Sequence, residues 1–332
     1  MKGFALHWKW QLRGFEKVFF RARLIFTACF CLFVVIYTIH NVAIFERATK
    51  GIDLQGIQKN QVGFFILLFF YLVSVSLKAL RCRLIGEMHS QKNSRYLFKS
   101  FYFFYFLKFT LPFFSDNALR IYWTQKSTQY SPLAVSAIIV AEYIVDAIAL
   151  LTILFLALFM SSEGILTAVV IYVAEEYSVD LDVAILIHLF YGFVILVITL
   201  LSSVLWKGRQ RLYIFAPNFS ISKLLLIIFL SILSWIILIS GVSIFMAGLR
   251  VLDLYASILY SALLLIFNSF GSLIVNTPAQ IGSFEVISVF ILNVMELEQV
   301  PALTNTFLVH ASLILCQLVL LLFIFWAFSG KK

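Results

Sequence analysis

The sequence is short of charge. Only 12% of its 332 residues are Asp, Glu, Lys or Arg, about half the share found in soluble domains. That excludes a water-soluble enzyme and a disordered chain. Proline and glycine are also scarce, at 5 and 14 residues, which excludes collagen-like and low-complexity classes. Four cysteines, Cys29, Cys31, Cys82 and Cys316, show neither CxxC spacing nor a His/Cys cluster, so neither a disulfide scaffold nor a zinc site is expected. What is abundant is apolar: 62% hydrophobic residues, 36 of them Phe, with a mean hydropathy of +1.01. The apolar runs are about 20 residues long rather than the roughly 10 of a barrel strand, so the fold class is an all-α polytopic membrane protein.

Six runs read as full spans: Leu24–Phe45, Val62–Leu80, Pro132–Phe159, Val183–Trp206, Leu224–Met246 and Ala302–Phe328. The first is too long for a cleaved signal and reads as an uncleaved span. Two regions are broken. Leu97–Tyr130 begins aromatic and turns polar after Pro112, while Leu254–Val300 is interrupted by FNSFGSLIVNTPAQIGSFE. Irregular backbone at membrane depth is tolerated where it is buried in protein or lines a wet cavity.

The net charge of +9 implies lipid rather than nucleic acid, because the bases gather in short loops. The tail 1–23 and the segment Lys78–Lys99 each carry six Lys/Arg, and Lys207–Lys223 carries four without an acid. By contrast Ser161–Asp182 holds five acids and Val275–Val300 three, with no base in either. The positive-inside rule places both termini in the cytoplasm. Leu97–Tyr130 must then enter and return on the cytoplasmic side, and Leu254–Val300 makes no net crossing from outside, either as a dip or as an even number of spans.

The expected architecture is therefore about six spans plus two opposed re-entrant hairpins in one transmembrane domain, 24–328. Its halves, about 62–160 and 224–328, form an inverted repeat between the basic tail 1–23 and the short tail 329–332. Such repeats with broken helices are a transporter architecture. The alternative is a plain bundle of kinked spans.

Glu142 and Asp146 lie four apart on one helical face near the middle of a span, where ionisable residues are costly and functional by default. They are candidates for proton coupling, one acid being held protonated at rest by burial and its neighbour, or for an ion pair with Arg120 or Lys108. Lys108, Arg120 and Lys126 make the first hairpin basic. SDNAL reads as a helix start capped by Ser115 or Asp116, with Arg120 on the second turn, a geometry suited to phosphate. Lys126, and at the span end Lys78, Arg81 and Arg83, read as snorkelling cations. In the second hairpin Asn268, Asn276, Thr277, Gln280 and Glu285 are polar, while Gly271 and Gly282 permit close approach. His310 and Gln317 share one face of the last span.

These residues also carry a resemblance. LPFFSDNALRIYWTQKSTQYSPLAVSAIIVAEYIVDAIAL resembles the first signature of the lysylphosphatidylglycerol synthase transmembrane family, the flippase-like domain of the bacterial multiple peptide resistance factor. Against its pattern P-x-x-x-G-E-x-x-R and E-R-x-x-D, Pro112, Arg120, Glu142 and Asp146 match. Asp116 replaces Gly, Asn117 replaces Glu, and Tyr143 replaces Arg. VNTPAQIGSFEVISVFIL resembles the second signature, P-x-x-x-G-x-x-E, through Pro278, Gly282 and Glu285, and His310 stands for a later Arg. The resemblance spans about Leu80 to Phe328 and implies handling of a lipid or lipid-linked sugar. It does not extend to the synthase domain, so lysyl transfer is not expected.

The substrate site is expected at Lys108, Pro112, Asp116, Asn117, Arg120, Asn268, Thr277, Pro278, Gln280, Gly282 and Glu285, with Glu142, Asp146 and His310 as proton-coupling or ion-pair residues. No G-x-S-x-G, Walker loop or HExxH is present, so no catalytic residue, cofactor or metal is expected. The function read from this is a lipid transporter of flippase type in the inner cell membrane. Its expected partners are an anionic phospholipid or polyprenyl-phosphate-linked lipid, with a homo-oligomer or partner synthase possible. The alternatives are a membrane-embedded transferase and a scaffold for a lipid-modifying synthase.

Overall fold

The computed structural model describes residues 60–89, 97, 101–102, 105, 115–128, 130–160, 220–250, 252–274, 280, 283–295 and 299–329. The described residues form seven helices and no strand: α1 (Gln61–His89), α2 (Ser115–Thr128), α3 (Pro132–Met160), α4 (Ile221–Gly248), α5 (Leu254–Ile274), α6 (Ser283–Val294) and α7 (Gln299–Ser329). By length and composition, five can cross a membrane: α1, α3, α4, α5 and α7. The expected spans Leu24–Phe45 and Val183–Trp206 lie outside the described residues, as do the acidic segment Ser161–Asp182 and the basic tail.

Local chemistry sets several helix ends. Pro132 occupies the first position of α3, where its missing N–H costs nothing, and the Ser131 hydroxyl accepts from the Ala134 amide at 3.2 Å. Asp253 starts α5 in the same way, its carboxylate accepting from the Ala256 amide at 2.7 Å. α4 closes on Arg250 at φ 60°, the left-handed position in which helices often end. Asn60, just before α1, donates its side-chain amide to the Phe245 carbonyl at 2.9 Å. That bond ties the start of α1 to the end of α4.

α1 and α4 pack along their length and form the centre of the bundle. Their approach is close at Gly241, where an added Cβ would lie 2.7 Å from Phe70 Cβ. α3 and α5 lie against α4, α2 lies on α3, and α6 joins α5 to α7. The core runs through Leu67, Tyr71, Val75, Val242, Phe245, Leu264, Val289 and Val309, all nearly inaccessible. Large apolar side chains such as Phe65, Phe69, Leu225, Phe229, Leu318 and Leu322 stand outward on α1, α4 and α7. A water-soluble surface would not carry so much exposed apolar area; lipid accepts it.

The two broken regions differ in form. α5 has 21 residues, about 31 Å at 1.5 Å per residue, enough for a bilayer core of about 30 Å. α6 has 12 residues, about 18 Å, which is too short to cross. Of the first region, α2 covers 14 residues, about 21 Å. Its helix opens at Ser115, where SDNAL predicts a start.

The reading of Lys78–Lys99 as a basic loop is corrected in part. α1 continues as helix through His89, and Lys78, Arg81 and Cys82 lie inside the bundle at 3%, 1% and 0% exposure. Arg83 alone of the three cations reaches partly outward, paired with Glu87 at 2.8 Å one helical turn on.

Candidate functional site

All seven helices line one cavity of about 140 Å³. A cavity near this size holds a group on the scale of benzene. Four of its polar lining residues form two charge pairs.

The first pair joins α2 to α3. Arg120 grips both oxygens of Glu142, at 2.5 and 2.8 Å. The same guanidinium reaches Cys82 Sγ on α1 at 3.3 Å and lies 5.6 Å from the Phe101 ring centroid. The second pair joins α1 to α3. Arg81 takes both oxygens of Asp146, the Nη2–Oδ2 bond measuring 2.9 Å. Asp146 Oδ1 also accepts from Ser231 Oγ and Trp235 Nε1 on α4, both at 2.9 Å. The i, i+4 spacing of Glu142 and Asp146 puts the two pairs one helical turn apart on α3. Each acid thus receives a forked guanidinium, a charge-assisted geometry with high directional specificity. Lys78 lies one turn before Cys82 on α1, with its Nζ 3.5 Å from the Trp235 ring centroid and 5.9 Å from that of Tyr105.

The opposite wall comes from α5, α6 and α7. His310 Nδ1 lies 2.6 Å from Glu285 Oε1, and its ring stacks on Phe284 at 4.4 Å and 17°. Asn268 donates to Gln280 at 2.7 Å across the break between α5 and α6. Gln280 has φ 58°, a conformation that non-glycine residues adopt at a cost and that clusters at functional sites. Gln317, seven residues beyond His310, lines the same space. Behind this wall Tyr260 bonds to Ser288 and, at 2.7 Å, to Thr306, locking α5 to α6 and α7.

The structure therefore brings Asn117, Arg120, Glu142, Asp146, Asn268, Gln280 and His310 around one space, with Glu285 directly behind His310. Lys108, Pro112, Thr277, Pro278 and Gly282 lie outside the described residues. Asp116 belongs to α2 by its backbone.

A family model described as the lysylphosphatidylglycerol synthase TM region matches residues 22–323. The chain belongs to that family. No curated protein and no solved structure matches it. Two departures from the family pattern written above turn out to be neighbours. Asn117, at the Glu position, donates to the hydroxyl of Tyr143, at the Arg position, at 3.1 Å. Two positions that are charged in that pattern are thus neutral here and hydrogen-bonded to each other, between α2 and α3.

Sequence reasoning missed Lys78, Arg81, Ser231 and Trp235. The snorkelling assigned to Lys78 and Arg81 is overturned: both are buried, because Asp146 and the Trp235 ring supply what water would. Two signals could have found them. Two mid-membrane acids need two cations, and Arg120 answers only one. In α4, Ser231 and Trp235 stand four residues apart on one face.

Proposed function

We propose that this protein binds the phosphate headgroup of an anionic phospholipid or polyprenyl-phosphate-linked lipid in the central cavity and moves it across the membrane. The observation that carries this reading is the cationic lining: Lys78, Arg81 and Arg120 face one buried space with Glu142 and Asp146. Cations at membrane depth are costly and mark substrate paths. The volume suits the headgroup alone, so the acyl or prenyl chains remain in the bilayer, along the outward apolar faces.

The transport part of the proposal draws on the arrangement of the halves. α1, α2 and α3 correspond in order to α4, α6 and α7, and the leading helices α1 and α4 pack against each other at the centre. An inverted repeat of this kind, with α2 and the α5–α6 break as its two re-entrant elements, would permit alternating access around the cavity. The multi-pass chain would sit in the inner cell membrane with both termini cytoplasmic, by the positive-inside rule. A partner synthase would deliver or consume the lipid.

Native mass spectrometry in mild detergent tests the headgroup site. The wild type should retain a selected anionic lipid. The Arg120→Met/Glu142→Leu double variant, which removes the clamp without leaving a lone charge, should not. Equal, unselective lipid on both would refute the site.

A further inference from the structure

Arg81 is almost wholly buried and lines the cavity. A guanidinium carries five N–H donors in one plane. Nη1 spends its two on Asp146 Oδ1 and on Ser231 Oγ, the latter at 2.6 Å. Nη2 spends one on Asp146 Oδ2 at 2.9 Å. Nε has no hydrogen-bond acceptor among the described residues. Two donors are left over, the Nε hydrogen and the second hydrogen of Nη2. They lie side by side, because Nη1 is the nitrogen cis to Cδ and Nη2 therefore stands next to the Nε hydrogen. Such an edge is the fork with which arginine grips two oxygens of a carboxylate or phosphate.

A buried donor without an acceptor costs stability, and native proteins hold few of them. This one is also held still. Asp146 Oδ1 accepts from Ser231 Oγ and Trp235 Nε1 on α4 as well as from Arg81 on α1. Three helices thus fix the plane of the guanidinium, and the open edge with it. Lys78 stands one turn earlier on α1 and lines the same cavity, with its Nζ over the Trp235 ring. Arg120 differs in that both hydrogens of its Nη2 are engaged, by Glu142 Oε1 and by Cys82 Sγ.

We infer that the Nε/Nη2 edge of Arg81 is the oxyanion seat of the cavity, receiving two phosphate oxygens side by side while the other edge of the guanidinium stays on Asp146. The inference rests on the headgroup reading above and names the atoms that make the contact. Asp146 is then a positioning residue, which holds the guanidinium and does not touch the ligand. The edge offers only donors, so it selects a group with two acceptor oxygens on one centre, as a phosphodiester has.

Nitrogen-15 NMR of the full chain in detergent, labelled at arginine Nε, tests this. Dihexanoyl-phosphatidylglycerol is added and, in parallel, its deacylated headgroup, glycerophosphoglycerol. The Arg81 Nε–H signal is the one lost in Arg81→Lys. Its proton should move downfield as ligand saturates, the mark of a new charge-assisted hydrogen bond. A shift with both ligands identifies a free phosphodiester as sufficient, and a shift with the lipid alone identifies a lipid ligand; either supports the seat. Calorimetry on the same samples gives the affinities. Arg81→Lys keeps a cation for Asp146 but has no second edge, and should bind at least about tenfold more weakly. Where Arg81→Lys fails to fold, Arg81→Gln/Asp146→Asn assigns the signal and repeats the measurement. It leaves no lone charge, and the asparagine oxygen still accepts from Ser231 and Trp235. A signal that stays in place while calorimetry shows bound ligand would mean that the edge holds water only, and overturns the inference. So does wild-type affinity in either folded variant. No binding of either ligand by the wild type would instead overturn the headgroup reading.

Discussion

Removing Arg120 alone should be far more damaging than removing Arg120 together with Glu142. The Arg120–Glu142 pair is bidentate, at 2.5 and 2.8 Å, and its side chains are only 12% and 7% exposed. Arg120→Ala would leave the Glu142 carboxylate in the bundle interior with its fork gone. Deleting one partner of a buried pair typically costs about 3–5 kcal/mol, whereas replacing both by apolar residues of similar volume is often neutral or stabilising. Arg120→Met/Glu142→Leu should therefore lie within about 1 kcal/mol of wild type, and the double-mutant cycle should return a coupling of about 2–5 kcal/mol. Reversible unfolding in mixed micelles, with dodecyl sulfate titrated into dodecyl maltoside, measures all four proteins. A double variant no more stable than its worse single parent would refute the reasoning. It would mean that the guanidinium holds α2 to α3 through contacts other than its carboxylate.

The same assay reads three further expectations. Gly241→Ala should cost about 1–3 kcal/mol, because its Cβ would meet Phe70 Cβ at 2.7 Å, while Gly271→Ala, which meets only the end of Ile287 at 3.3 Å, should cost less. Trp235→Phe keeps a ring beneath Lys78 but loses the bond to Asp146, an expected loss of about 1.5–3 kcal/mol. Trp235→Leu should lose more, and equal losses would remove the cation–π contact from the account. At Gln280, with φ 58°, Gln280→Val should be less stable than Gln280→Asn by about 1–2 kcal/mol, since Asn tolerates the left-handed region and a β-branched residue does not.

Much of this was legible in the sequence, for identifiable reasons. Long apolar runs fix a membrane helix almost by length alone, and Pro132, Leu224 and Ala302 begin runs that the structure forms as α3, α4 and α7. The acids of α3 stood out because nothing else in that run is charged. The cations that meet them were harder. Arg81 lies just past the end of an apolar run, where snorkelling is the ordinary expectation. Its burial depends on Asp146, 65 positions away, and on Ser231 and Trp235, still farther along. The convergence of both broken regions on one cavity was legible only as an expectation from symmetry. Charge placement says which side a loop occupies, not how deep a side chain lies.

The central claim is that the cavity serves movement of an anionic lipid, and translocation in proteoliposomes tests it most directly. Tail-labelled fluorescent phosphatidylglycerol is reconstituted with the protein, with and without a pH gradient, and external dithionite bleaches label that reaches the outer leaflet. The account predicts that wild-type protein exposes inner-leaflet phosphatidylglycerol but not labelled phosphatidylcholine, and that Arg120→Met/Glu142→Leu does not. Inner-leaflet phosphatidylglycerol protected as fully as in protein-free vesicles, under either condition, would contradict it.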